Sequence, residues 1–400
     1  MLKLSQRLDR TELAATFAMA ARARALRGAG HDVISLSLGE PDFPTPPHVV
    51  EAAYEAAKRG ETKYPPLGGT AALKAAVVKK YARDQKLVVS PENILVSNGG
   101  KQAIFNIVMA VVDSGDEVVI PAPAWAGYEQ TVHFAGGVPV FVPCPQAENF
   151  VLRPAALEAA ITPRTRLLIL NYPNNPSGAA IDAAGLAAIA EVLRRHPHVW
   201  VLSDDIYEHL LFDGFEYVTL AAVAPDLADR VVTLTGVSKS YAMTGWRVGF
   251  CAGPAALMKA ATVVQATATS GVSSVGQAAA LAALEGRQDF LAERAAAYQR
   301  RRDLVVAALS EIPGISCHKP EGAFYVFPDI SAFIGKTTKS GRRVGSDGDF
   351  AMALLEDQFV AVVQGSAFAA SPFVRISTAT DDETLMRAYR RIAAFCGSLG

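Results

Sequence analysis

Lys239 stands in the run Thr235-Gly236-Val237-Ser238-Lys239-Ser240-Tyr241-Ala242-Met243-Thr244-Gly245-Trp246-Arg247, where an apolar stretch ends in a lysine and an arginine follows eight residues later. Val231, Val232, Leu234 and Val237 make the approach mostly apolar, and a poorly hydrated ammonium has a lowered pKa. A lysine neutralised in this way attacks carbonyl groups. The arginine suits a phosphate. Pyridoxal 5'-phosphate has both a carbonyl to capture and a phosphate to anchor, and it requires an acidic group at its ring nitrogen. A lysine on its own is ordinarily a solvated surface charge, so the reading depends on what else the chain provides.

Four other segments bear on it. Ser97-Asn98-Gly99-Gly100-Lys101-Gln102 follows an apolar run and opens a helical one, which aims backbone N–H groups and a helix dipole at an anion; a Gly-Gly pair is also plain turn chemistry. Asn171-Tyr172-Pro173-Asn174-Asn175-Pro176-Ser177-Gly178 closes another apolar run, and two nearby prolines pin the backbone so that an asparagine side chain is held at one place. In Ser203-Asp204-Asp205-Ile206-Tyr207-Glu208 an acid is carried to the end of a strand, although Asp is also a common helix cap. Trp125, after Pro121-Ala122-Pro123-Ala124, either packs in the core or stacks on a ring.

Positioning these groups requires a sheet. Between about residues 90 and 270, short β-rich runs alternate with longer Ala/Leu-rich stretches, the pattern of a mostly parallel α/β sheet covered by helices. Strands are predicted at 94–97, 117–120, 138–142, 167–171, 200–203 and 231–235, with a helix at 185–195. The motifs then fall at strand ends, where open α/β sheets bind ligands. A long helix at 287–309 leads to scattered strands at 323–327, 360–363 and 373–377 and a closing helix at 382–395, a small α+β region. The polar stretch 335–348 reads as an exposed loop.

Four hundred residues, half of them hydrophobic, suffice for one large domain and a smaller one. With 38 basic against 39 acidic residues, the chain lacks the electrostatic footprint of a nucleic-acid or anionic-membrane binder. Cys144, Cys251, Cys317 and Cys396 are too dispersed for a metal site and read as small buried residues. No apolar span approaches twenty residues and no apolar core follows the basic residues of 1–10, so a cytoplasmic protein is expected.

In order and placement these motifs resemble the class I aminotransferases among fold-type I pyridoxal-phosphate enzymes. The resemblance runs from Ser37-Leu38-Gly39-Glu40-Pro41-Asp42-Phe43 to Phe373-Val374-Arg375-Ile376-Ser377, and within the family it is greatest to the bacterial aspartate aminotransferase branch with a Gly-Gly-Lys-Gln loop. It implies a large cofactor-binding domain at 45–290, a small domain from 1–44 plus 291–400, and homodimers with shared sites. Lys239 would bind the cofactor covalently and shuttle the proton, and Asp204 would pair with the ring nitrogen. Tyr207 and Asn175 would meet the ring oxygen, with Trp125 on the ring face. Gly99, Gly100, Lys101, Ser238 and Arg247 would hold the phosphate, joined by Tyr64 from the partner subunit. Arg375 would grip the substrate α-carboxylate, helped by Asn175, Trp125 and the backbone near Gly39.

The departures from the family pattern are Gly236, where many relatives have a phosphate-facing serine, Ala124 in place of a tyrosine, and Asp205 in place of a glutamate. The resemblance implies ping-pong transfer of an amino group between an L-amino acid, aspartate favoured, and a 2-oxo acid, 2-oxoglutarate favoured. Lys101 would meet their distal carboxylate, a contact worth about ten- to a hundredfold in affinity. An aromatic or prephenate aminotransferase, or a lyase of the same fold, is the alternative. A cofactor-binding transcriptional regulator is not expected, since the match begins by about residue 15 and leaves no room for a DNA-binding domain.

Overall fold

The computed structural model describes residues 5–9 and 15–400; residues 1–4 and 10–14, part of the expected small domain and of the basic amino terminus, lie outside the described residues. A seven-stranded sheet runs in the order Ile94–Ser97, Gly249–Ala252, Val231–Gly236, Trp200–Asp204, Thr165–Leu170, Glu117–Ala122, Val138–Pro143. Gly249–Ala252 runs against all the others, antiparallel to the strands on either side of it, and the remaining pairs are parallel. The six predicted strands are present with ends shifted by no more than two residues. Gly249-Phe250-Cys251-Ala252 is the strand that the sequence reading lacks: four residues containing a glycine and an alanine carry little β signal.

Burial on both faces explains the composition of the strands. Ile94–Ser97 and Val231–Gly236 are buried throughout, and doubly covered parallel strands read as continuous apolar runs rather than alternating ones. The covering helices are amphipathic. In Ala183–Arg195 the Asp182 carboxylate caps the start by accepting from Gly185 N at 2.7 Å, while Leu186, Ile189, Ala190 and Leu193 recur at helical spacing and turn to the sheet.

A second apolar core draws only on the chain up to Leu36 and from Leu304 onward. It gathers around the 22-residue helix Asp289–Ser310, the closing helix Asp382–Cys396 and two short sheets. The predicted strand at 360–363 is two pieces: Val360–Ala361 pairs in parallel with Ile34–Ser35, and Val363–Gln364 pairs antiparallel with Val374–Ser377. Only Tyr325–Val326 of 323–327 is a strand. The stretch 335–348 is not wholly an exposed loop. Val344 is buried in the second core, Thr337 and Arg343 form a β-bridge, and Ser346 caps a helix that begins at Asp347. Of the cysteines, Cys317 is only half-buried. Among the described residues no helix is long and apolar enough to cross a membrane, and no cluster of metal-ligating side chains occurs.

Candidate active site

A cavity of about 460 Å³ opens at the strand ends. Gly39, Gly100, Lys101, Trp125, Asn175, Asp204, Tyr207, Ser238, Lys239, Arg247 and Arg375 all line it. Two expected residues do not: Gly99 lies against the Arg247 guanidinium, and Tyr64 is 97% exposed.

Lys239 follows directly from the buried strand Val231–Gly236, through Val237 and Ser238. Its Nζ donates to the Gly39 carbonyl at 2.5 Å and lies 6.0 Å from the ring centroids of both Tyr207 and Phe324. Burial, reinforced by the Arg375 charge, pulls its pKa down to about 8. An amine of that kind is a substantial free-base nucleophile near neutral pH.

Asp204 ends the strand Trp200–Asp204 and is followed by a turn, not a helix, so capping does not account for it. Burial raises its carboxyl to about 6, against the opposing bonds from the Tyr128 hydroxyl at 2.7 Å and Ile206 N at 3.3 Å. The neighbouring Asp205 turns away from the cavity. Its carboxylate accepts from Ser203 Oγ and Thr219 Oγ1, each at 2.8 Å, and burial lifts it to about 7.

Ser97-Asn98-Gly99-Gly100 does lead into a helix, Gly100–Val111, with Gly99 as its cap at φ 79°. The positive φ favours glycine at 99, and a Cβ there would fall 2.6 Å from Arg247 Nη2, so a side chain would displace the guanidinium. Arg247 donates to the Thr244 and Asn98 carbonyls and has no carboxylate partner among the described residues. With the first N–H groups of the helix, which no intrahelical acceptor can reach, it forms an anion cup. Gly236 contributes no side chain to that cup, and none fits: a Cβ there would lie 2.9 Å from Gly249 Cα.

Arg375 comes from the other core. It is 4% exposed, donating to Asn175 Oδ1 at 2.9 Å and to the Ser37 carbonyl at 2.6 Å, with Nε left without a partner. The faces of Tyr325 and Phe368 lie 4.7 and 4.9 Å from its Cζ. A buried guanidinium without a counter-ion is costly unless an anion joins it, and its planar fork matches a carboxylate. Asn175 is held by a knitted turn in which Asn171 Oδ1 accepts from Asn175 N and Asn174 Oδ1 accepts from Ser177 N and Oγ.

Lys101 is exposed at the cavity wall, with Nζ 5.5 Å from the Trp125 ring centroid. Trp125 itself packs edge-on against Tyr128 at 5.3 Å. Ala124 is buried, and its N–H donates to the Phe368 carbonyl.

The sequence reading omitted several participants. Tyr128 reaches Asp204, Asn171 Nδ2 donates to the Asp204 carbonyl, and the Tyr325 hydroxyl lies 2.9 Å from that of Tyr207. Asn171 sits within the quoted asparagine motif and Tyr128 comes three residues after Trp125, one helical turn along. Tyr325 has no local signal, since its relation to Tyr207 spans 118 positions.

The family model described as "Aminotransferase class I and II" matches residues 31–392. The aspartate/prephenate aminotransferase of Cereibacter sphaeroides is 51% identical over 399 residues, covering all of both chains. Among solved structures, the aspartate aminotransferase from Rhizobium meliloti is 50% identical with a TM-score of 0.97 over the full length of both chains. That of Thermus thermophilus with maleate is 40% identical with a TM-score of 0.92, covering 99% of this chain and 100% of its own. On sequence and fold together, the chain belongs to the class I and II aminotransferases.

Proposed function

We propose that this aminotransferase moves the amino group of L-aspartate to 2-oxoglutarate with pyridoxal phosphate as cofactor. The observation that carries the reading is the pair of cations offered by one cavity. Buried Arg375, with no anionic partner among the described residues, suits the α-carboxylate common to all donors, and exposed Lys101 suits a second carboxylate on the side chain. The Thermus thermophilus relative's structure contains maleate, itself a dicarboxylate.

The donor set fits the cofactor. Lys239 is an amine of lowered pKa next to an anion cup built from Gly99, Gly100, Lys101, Ser238 and Arg247, and Asp204 is a buried acid that lines the same cavity and accepts from the Tyr128 hydroxyl. When bound, pyridoxal phosphate supplies an electron-poor ring that accepts the electron pair left at the donor's Cα. With that group bound, the Asp204 carboxylate would hold a proton on its ring nitrogen, and Tyr207 and Asn175 would offer hydrogen bonds to its ring oxygen. Lys239 Nζ takes the proton from Cα as general base. Arg375 and Asn175 orient the donor so that this proton faces the amine. The amino group leaves with the enzyme in the first half-reaction and returns to the acceptor in the second, a ping-pong cycle.

A homodimer with shared sites accompanies this reading. It is supported by Tyr64, whose ring is 97% exposed on a segment tied down through Val96 N to the Gly68 carbonyl and Thr70 N to Gln277 Oε1. The division into 45–290 and 1–44 plus 291–400 is supported by the separate second core.

A second reading, prephenate as the acceptor, is favoured by the name of the Cereibacter sphaeroides relative. Prephenate also carries a carboxylate besides that of its 2-oxo acid group, so Lys101 serves either substrate. The deciding experiment follows the cofactor's absorbance through single half-reactions with a panel of amino acids and, from the aminated side, with oxo acids. Aspartate and 2-oxoglutarate should react with the highest specificity constants; faster reaction with prephenate than with 2-oxoglutarate would favour the second reading.

A further inference from the structure

Behind the cavity lies a charged cluster that no step above uses. Lys80, 1% exposed on the helix Ala71–Gln85, places Nζ 2.5 Å from Glu208 Oε1. The same carboxylate accepts from Thr235 Oγ1 at 2.6 Å and from Gln85 Nε2 at 2.5 Å. Asp84 joins at the edge, 3.7 Å from Lys80 Nζ and 3.3 Å from His209 Nε2. Burial is the largest influence on the Glu208 carboxyl and would raise it, but the Lys80 and His209 charges and the hydrogen bonds from Lys80 and Thr235 together outweigh burial and hold the group below its ordinary range.

The location of the pair is informative. Glu208 ends the segment whose Asp204, Ile206 and Tyr207 face the cavity, while Asp205 and Glu208 turn to its rear. Thr235 belongs to the strand that delivers Ser238 and Lys239. The helix bearing Lys80 also clasps that strand, since the Tyr81 hydroxyl donates to the Thr233 carbonyl at 2.8 Å. One carboxylate therefore joins three elements: the acid-bearing segment, the amine-bearing strand and an outer helix. Buried ion pairs are often no more stabilising than apolar pairs of similar volume, whereas charge-assisted hydrogen bonds are short and directional.

We propose that the Lys80–Glu208 pair is a positioning device for the reaction. It fixes the segment 204–208 against the strand carrying Lys239, and so sets where the Asp204 carboxylate and the Tyr207 hydroxyl stand relative to the amine. The inference rests on the roles given above to Asp204 and Tyr207.

The test is the double variant Lys80→Met with Glu208→Gln, which removes both charges and keeps the side-chain volumes, measured as purified holoenzyme. Positioning predicts a melting temperature close to wild type and a kcat lowered by about tenfold or more, since small misplacements cost up to about a hundredfold. KM for aspartate should stay within about twofold, and the pH midpoint of the bound cofactor's absorbance should move. A folded double variant with wild-type kcat and midpoint overturns the inference. Should that variant not fold, Thr235→Val removes a single donor to Glu208 from the strand side; it should shift the same midpoint and lower kcat, and unchanged values would overturn the proposal equally. Wild-type protein lacking any Lys239-dependent cofactor absorbance would instead sink the functional reading, and this inference with it.

Discussion

The Tyr128 hydroxyl donates to Asp204 Oδ2 at 2.7 Å, so the buried acid is held from the helix that also begins at Trp125. Burial drives the Asp204 carboxyl upward, and this bond opposes the drift. Tyr128→Phe keeps the ring packed against Trp125 but deletes the donor. A hydrogen bond to a charged group is worth about 1.5–3 kcal/mol, so kcat should fall about ten- to a hundredfold with KM for aspartate little changed. Steady-state kinetics on the variant check this.

Lys239 in the cofactor-free protein should titrate near pH 8, well below an ordinary lysine, because burial and Arg375 both disfavour its charge. Only the free amine attacks a carbonyl. The rate of pyridoxal phosphate capture, followed by stopped-flow absorbance, should therefore rise with pH and level off above about 8. A rise continuing toward pH 10 would contradict the assignment. Lys239→Ala should retain the phosphate contacts and lose turnover by about a thousandfold or more, the upper range of general acid–base effects.

The two adjacent acids should separate cleanly. Asp204→Ala should cripple proton removal at Cα, seen as a large loss in the half-reaction rate. Asp205→Ala should mainly cost stability, because it strands the Ser203 and Thr219 hydroxyls in the interior. Its pH signature has a definite sign. The carboxyl sits at about 7 when folded against 3.8 otherwise, so the folded state holds a proton that the unfolded chain has lost; this contribution is full below 3.8 and disappears as pH rises through about 7. Cofactor-free wild type should accordingly lose melting temperature relative to Asp205→Asn across that interval.

Lys101→Ala should lower kcat/KM for aspartate more than for phenylalanine. Its exposure screens the contact, so the expected selective loss is about three- to tenfold rather than the larger factor of a desolvated pair. Arg375→Leu should harm every donor, since all carry an α-carboxylate. Equal losses for aspartate and phenylalanine in Lys101→Ala would remove the basis for a dicarboxylate preference.

Gly99→Ala should weaken cofactor retention. The added Cβ would collide with Arg247 Nη2 at 2.6 Å from a backbone at φ 79°, displacing the guanidinium from the anion cup. Dialysis against phosphate, with cofactor content read by absorbance, should show faster loss than wild type.

Much of this site was legible because its parts sit at strand ends, where apolar runs stop at a few polar residues. Lys239, Asp204 and Asn175 each close such a run, and the resemblance to the family assigned their roles. What escaped were side chains that matter through partners far along the chain: Tyr128 to Asp204, Tyr325 to Tyr207 and Lys80 to Glu208 are separated by 76, 118 and 128 positions, and no local pattern encodes such pairings. The fold failed to be read where the code is thin, in Gly249–Ala252, and where one run of β-branched residues served two different sheets, at Val360–Gln364.

The missed strand has a consequence for how the site can vary. Because Gly249–Ala252 runs back alongside Val231–Gly236, Lys239 and Arg247 are the two arms of one hairpin connection, and their separation is set by the length of that connection instead of by the sheet. Adding or deleting one residue within 240–246 would leave the ladder's own hydrogen bonds available and still pull amine and guanidinium out of step. The connection therefore constrains the site through its length, even though it contains no regular strand or α-helix of its own.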